Sequence, residues 1–68
     1  MYGQIIINDN ERFQVDTREL TSGDVLQVLV LDAANRPTWV ETSVEHNGNE
    51  YYLTGLLGFS VAGLFAHI

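Results

Sequence analysis

Apolar and polar residues along this chain form runs that are too short for helices and the right length for strands. The clearest stretch is 23–55. Val25 to Leu31 is apolar at nearly every position, the composition of a strand covered on both faces. Asp32-Ala33-Ala34-Asn35-Arg36-Pro37 reads as a loop, with the next strand starting after Pro37, which has no amide hydrogen for a ladder. Thr38 to Glu45 then alternates, with Thr38, Val40, Thr42 and Val44 on one side and Trp39, Glu41, Ser43 and Glu45 on the other. That period of two belongs to a half-buried strand. Asn47-Gly48 is the preferred central pair of a two-residue type I′ turn, and sets Val44 opposite Tyr51 and Thr42 opposite Leu53. The same register sets Ser43 opposite Tyr52 and Glu45 opposite Glu50, the latter a like-charge pair that costs stability. A three-residue loop with a bulge is the alternative that separates the two carboxylates.

The flanks add strands. Ile5-Ile6-Ile7, Asn8-Asp9-Asn10-Glu11 and Arg12-Phe13-Gln14-Val15 form a hairpin signal, with Asn and Asp supplying the turn. Asp16 to Asp24 is polar and irregular, with one helical turn at Thr17-Arg18-Glu19-Leu20 stopped by Ser22-Gly23-Asp24. The tail from Gly55 to Ile68 carries no charged side chain, but it is too short to span a bilayer and is interrupted at Gly55, Gly58 and Gly63. It reads as a turn or short helix through Phe59-Ser60-Val61-Ala62 and a closing strand Leu64 to Ile68. The expected architecture is one all-β domain over residues 1–68. It is a small, partly open SH3-like barrel of five to six antiparallel strands, with a short helical turn before the last strand.

Length and charge narrow the function. A 68-residue chain buries only about 60% of its unfolded surface, so the core is thin. Cysteine is absent, which removes thiol catalysis, Cys-ligated zinc and any pointer to an oxidising compartment. Met1-Tyr2-Gly3-Gln4 lacks the basic start of a signal peptide, so the expected location is the cytosol, with no membrane association. Nine acidic residues face three arginines and no lysine, a net charge of −6 that repels phosphate backbones and argues against direct nucleic-acid binding.

Candidate chemistry is sparse. Ser22, Ser43 and Ser60 have no nucleophile-elbow context, and His46 and His67 read as solvent-facing or satisfied residues. Glu45, His46 and Glu50 share a hairpin tip, but their spacing matches no metal site. Asp9, Glu11 and Asp16 lack the glycine and closing glutamate of a calcium loop. Gly23-Asp24 lacks the second glycine and the Lys-Ser/Thr pair of a phosphate loop. The reading is therefore no enzyme, no metal and no cofactor. A binding surface fits better. Trp39, Glu41, Glu45, Glu50 and Tyr52 are the candidate residues, with Trp39 as anchor and a partner's arginine or lysine stacking on it and pairing with Glu41. The alternative is that Trp39 covers the open end of the barrel or packs under the tail at Leu56 or Phe59.

From Leu20 to Ile68 the chain also resembles a family of short uncharacterised domains from Firmicutes and their mobile elements. The matching residues are Gly23 with Val25-Leu26-Gln27-Val28-Leu29-Val30, Trp39-Val40-Glu41-Thr42, Val44-Glu45, Gly48, Tyr51-Tyr52-Leu53-Thr54-Gly55 and Gly63-Leu64-Phe65-Ala66-His67-Ile68. Family members often carry a basic residue before the last isoleucine, where this chain has His67. The resemblance implies a small barrel and no particular activity. The expected function is a non-enzymatic protein-binding module, and the resemblance implies that a phage or other mobile element encodes it. Two alternatives stand beside it. One is an acidic inhibitor of a basic host nucleic-acid enzyme, an anti-restriction or anti-CRISPR protein mimicking DNA charge. The other is a homo-oligomeric structural protein closed through the tail.

Overall fold

Four hairpins and a returning tail build the structure, a computed structural model that describes residues 1–56 and 60–68. The strands are β1 (Tyr2–Ile7), β2 (Phe13–Val15), β3 (Arg18–Glu19), β4 (Val25–Leu31), β5 (Pro37–His46), β6 (Tyr51–Leu53) and β7 (Phe65–His67). They form one antiparallel sheet in the order β3-β2-β1-β7-β4-β5-β6. The chain is all-β, with no helix among the described residues.

The last strand occupies the middle. β7 pairs with β1 through Tyr2↔His67, Gly3↔Ala66 and Gln4↔Phe65, and with β4 through Gln27↔His67 and Val28↔Ala66. It thereby joins two three-stranded meanders, β1–β2–β3 and β4–β5–β6, and Ala66 beneath it is fully buried. The two chain ends meet beside it, where the Ile68 N–H donates to the Met1 carbonyl at 2.9 Å. The sheet curls into a half-barrel, so that the Arg12 guanidinium at the β1–β2 end lies 5.3 Å from the Tyr51 ring centre on β6. Inside the curl lies the core of Ile5, Phe13, Val15, Leu20, Leu26, Val28, Val44, Leu53, Leu56 and Ala66. Thr42 is buried among them and satisfies its hydroxyl by donating to the Thr54 carbonyl at 2.7 Å.

Two loops share one construction. In Asn8–Arg12 and in Asp32–Arg36 the first side chain accepts hydrogen bonds from the third and fifth backbone N–H groups, at 2.9–3.1 Å. The fourth residue, Glu11 or Asn35, takes a positive φ near +60°. Asx side chains that bond the backbone two residues on are the local code for such turns.

Several sequence expectations change. Seven strands replace five to six, because no helical turn forms at Thr17–Leu20. Asp16 adopts φ +52° and the chain doubles back, pairing Val15 with Arg18 and Gln14 with Glu19. The Leu20 N–H then donates to the Phe13 carbonyl at 2.8 Å, so this segment satisfies the edge of β2 and buries Leu20. The expected helix before the last strand is also absent from its described part. Ser60 to Ala62 is non-helical and leads into a turn in which the Leu64 N–H donates to the Val61 carbonyl at 3.1 Å. Phe59 lies outside the described residues. Pro37 opens β5 opposite Leu31 instead of preceding it, a place where a ladder tolerates proline.

The β5–β6 register moves by two residues. Val44 faces Leu53, Glu45 faces Tyr52 and His46 faces Tyr51, and the turn centres on Gly48-Asn49. Gly48 has φ +89° while Asn49 does not take a positive φ, which suits glycine at the first central position of a type II′ turn and excludes type I′. The shift removes the unfavourable Glu45–Glu50 opposition and leaves each side chain on its expected face.

The largest departure concerns β4. Its apolar run implied cover on both faces, yet only Leu26 and Val28 are fully buried, while Val25 and Leu31 are 61% and 60% exposed. No second layer of this chain lies over the outer side among the described residues.

Candidate functional site

Strand pairing sorts the outer face into rows. Tyr2, His67, Gln27 and Glu41 follow one another across β1, β7, β4 and β5. In the next row Gln4 pairs with Phe65 on one side and Leu29 with Trp39 on the other. Most of these residues alternate with a buried neighbour such as Ile5, Ala66, Val28 or Thr42, and Tyr2 and Trp39 alternate with the partly buried Gly3, Thr38 and Val40, which is why the strands present them outward. The large rings then lean together. Tyr2 stacks on His67 with ring centres 4.2 Å apart, and meets Trp39 edge-on at 6.1 Å. Phe65 lies 6.2 Å from Tyr2 and 6.3 Å from Trp39.

This cluster is packed and still open. Trp39 and Phe65 are each 43% exposed and Tyr2 is 60% exposed. Trp39 is therefore a surface residue flanked by the Tyr2 and Phe65 rings. Beside the cluster, Leu29, Val30, Leu31, Pro37 and Leu64 line an apolar cleft of about 380 Å³. It sits where β4 continues past the last residue it pairs with β7.

Of the residues singled out by sequence, Trp39, Glu41, Glu45 and Tyr52 lie on this outer side of β5 and β6, with Glu45 directly opposite Tyr52. Glu45 also accepts a long hydrogen bond from the Ser43 hydroxyl at 3.4 Å. Glu50 is placed elsewhere. It belongs to the β5–β6 turn and lines a polar cleft of about 290 Å³ with Asn10, Glu11, Arg12, His46, Asn49 and Tyr51. Seven residues of strand separate Trp39 from His46, about 23 Å at the usual rise, so the five candidates do not form one compact site.

Tyr2, Phe65 and His67 were missed by sequence reasoning. Their signal was the alternation of Tyr2-Gly3-Gln4 and Phe65-Ala66-His67 at opposite ends of the chain. It acquires meaning only when β7 is known to lie beside β1.

Charges are distributed unevenly. Arg12 pairs with Glu19 at 3.6 Å, Arg18 with Asp24 at 3.8 Å and Arg36 with Asp32 at 3.7 Å. Among the described residues, Asp9, Glu11, Asp16, Glu41, Glu45 and Glu50 have no arginine within ion-pair distance. The Glu19 carboxyl is held below its ordinary range, first by the Asn10 amide, then by the Asn8 amide and the Arg12 charge. Among the described residues no three His, Asp or Glu side chains gather as metal ligands, and no helix is long and apolar enough to cross a membrane.

A domain-family model, the domain of unknown function DUF5348, matches residues 3–64. The chain belongs to the DUF5348 family. The match runs from the second residue of β1 through β6, taking in the N-terminal hairpin that lies before the resemblance seen from Leu20 onward, and stops short of β7. Trp39 and Glu41 fall inside the DUF5348 match, whereas Tyr2, Phe65 and His67 lie outside it. No curated protein and no solved structure matches the chain.

Proposed function

We propose that this chain is a non-enzymatic protein-binding module that takes a basic partner on the outer face of its sheet. The observation that carries this reading is the uncovered apolar side of β4, roofed only by the half-exposed rings of Tyr2, Trp39 and Phe65. Aromatic residues of that kind supply interface anchors. Glu41, in the same row as His67 and Tyr2, can pair with a cationic side chain stacked on the cluster. The chain's net charge of −6 favours a basic partner. The curled sheet and its short hairpins support an SH3-like barrel as the finer class, and the absence of cysteine supports a cytosolic location. The resemblance supports an origin in Firmicutes or their mobile elements.

Retention experiments test the reading. The immobilised protein and its Trp39→Ala variant are exposed to source-cell extract at low and high salt. A basic protein held by the parent chain and lost with Trp39→Ala supports the proposal, and an unchanged set of retained proteins rejects it. A second reading, inhibition of a nucleic-acid enzyme through charge mimicry, draws on the six carboxylates left without an arginine. Under it, Lys substitution at Glu41, Glu45 and Glu50 abolishes binding, and retention appears only at low salt. Closure into a homo-oligomer through the tail is a third reading, and sedimentation as a monomer at high concentration removes it.

A further inference from the structure

The turn between β5 and β6 brings together the groups needed to close a succinimide ring. Asn47 is followed by Gly48, which has no side chain of its own to obstruct approach of its amide nitrogen to the Asn47 side chain. The Gly48 N–H donates to Nδ1 of His46 at 3.1 Å, so an imidazole lone pair already faces the proton that the attacking nitrogen must shed. Oδ1 of Asn47 accepts from the N–H groups of Asn49 and Glu50, both at 2.9 Å. These two donors are aimed at the oxygen that becomes negative when Cγ is attacked. All five residues are exposed, so water reaches the turn.

We infer that Asn47 is a self-catalysed deamidation site, with His46 as its base and the backbone of Asn49 and Glu50 as its oxyanion donors. The Gly48 nitrogen bonds to Cγ of Asn47 and its proton passes to Nδ1 of His46. Nδ2 of Asn47 then leaves as ammonia, taking that proton back, and a cyclic imide remains. Water opens the imide to give aspartate or isoaspartate at position 47, with no change of oxidation state. Either product adds a carboxylate to the turn that already holds Glu50. The isoaspartate form also lengthens the backbone at the residue that leads into the two-residue turn setting the β5–β6 register.

The chain supplies its own controls, because Asn8, Asn10, Asn35 and Asn49 precede Asp, Glu, Arg and Glu. The purified protein is incubated at neutral pH and peptide-mapped by mass spectrometry over time. The parent chain in guanidinium chloride and the folded His46→Gln variant are followed in parallel. The expected result is conversion at Asn47 ahead of the other four asparagines, faster in the folded chain than in the unfolded one. His46→Gln slows it by about a hundredfold, the low end of what a lost general base costs. A folded chain that converts no faster than the unfolded chain overturns the inference. So does a folded His46→Gln variant that converts at the parent rate, and circular dichroism establishes that it is folded.

Discussion

Leu26 and Leu31 lie five residues apart on the same strand, yet one is 2% exposed and the other 60%. Leu26 points into the curl with Val28, Val44 and Leu53. Leu31 points outward beside the cleft that also takes in Leu29 and Pro37. The residue type is identical and both lie on one strand; the side of the sheet differs, and Leu31 also ends the strand beyond the part that β7 pairs. Apolar character on the inner side is used up by folding, whereas on the outer side it remains available to another molecule. The two sides of β4 should therefore answer mutation differently.

The inner side should show the largest effect. Leu26→Ala is expected to lose about 2–5 kcal/mol in urea unfolding, as buried leucines do. That is a large share of the roughly 3–10 kcal/mol open to a domain of this length. A loss well under 1 kcal/mol would remove the distinction between the sides. Trp39→Ala comes next, at about 1–2 kcal/mol, because it forfeits ring contacts with Tyr2 and Phe65 but opens no cavity in the core. Its expected signature is a small drop in midpoint together with complete loss of partner retention. A drop as large as that of Leu26→Ala would make Trp39 a core residue. Leu31→Ser should change stability by no more than about 0.5 kcal/mol. A decrease beyond 1 kcal/mol in urea unfolding would reveal hidden cover on the outer side.

The smallest effect lies away from β4, at Glu19. Its folded carboxyl titrates below the unfolded value, so its contribution to stability is present above the ordinary glutamate range. That contribution fades as pH falls through the lower folded value. In an NMR titration Asn10→Ala should move the Glu19 midpoint upward, since the Asn10 amide is the leading cause of the shift. An unmoved midpoint would assign the shift to Asn8 and Arg12 instead.

Local pattern made much of the fold legible. β4 and β5 were readable from apolar content and alternation, and the β1–β2 hairpin from its isoleucines and Asx turn. Less was readable where a few polar residues had two acceptable conformations. Thr17 to Leu20 suits a helical turn in isolation, but the open edge of β2 and the burial of Leu20 favour a strand. Asn47-Gly48 suits a type I′ turn, but the Asn47 side chain caps the Glu50 N–H and Glu45 escapes Glu50 when the turn moves on by one residue. For the contact face, Trp39 and Glu41 were visible as an alternating pair, while Tyr2, Phe65 and His67 were not.

What the sequence determined by itself is the set of things that depend on near neighbours: which segments are extended, which side chains alternate, and where chemistry lacks its residue types. Tertiary structure decided the rest by placing the last strand between the first and the fourth. That insertion joins residues more than 60 positions apart, and no local period encodes which strands will be adjacent. It sets the rings of Tyr2, Phe65 and His67 beside Trp39 and leaves one side of an apolar strand facing outward. Periodicity assigns side chains to faces, but only packing determines which face is covered.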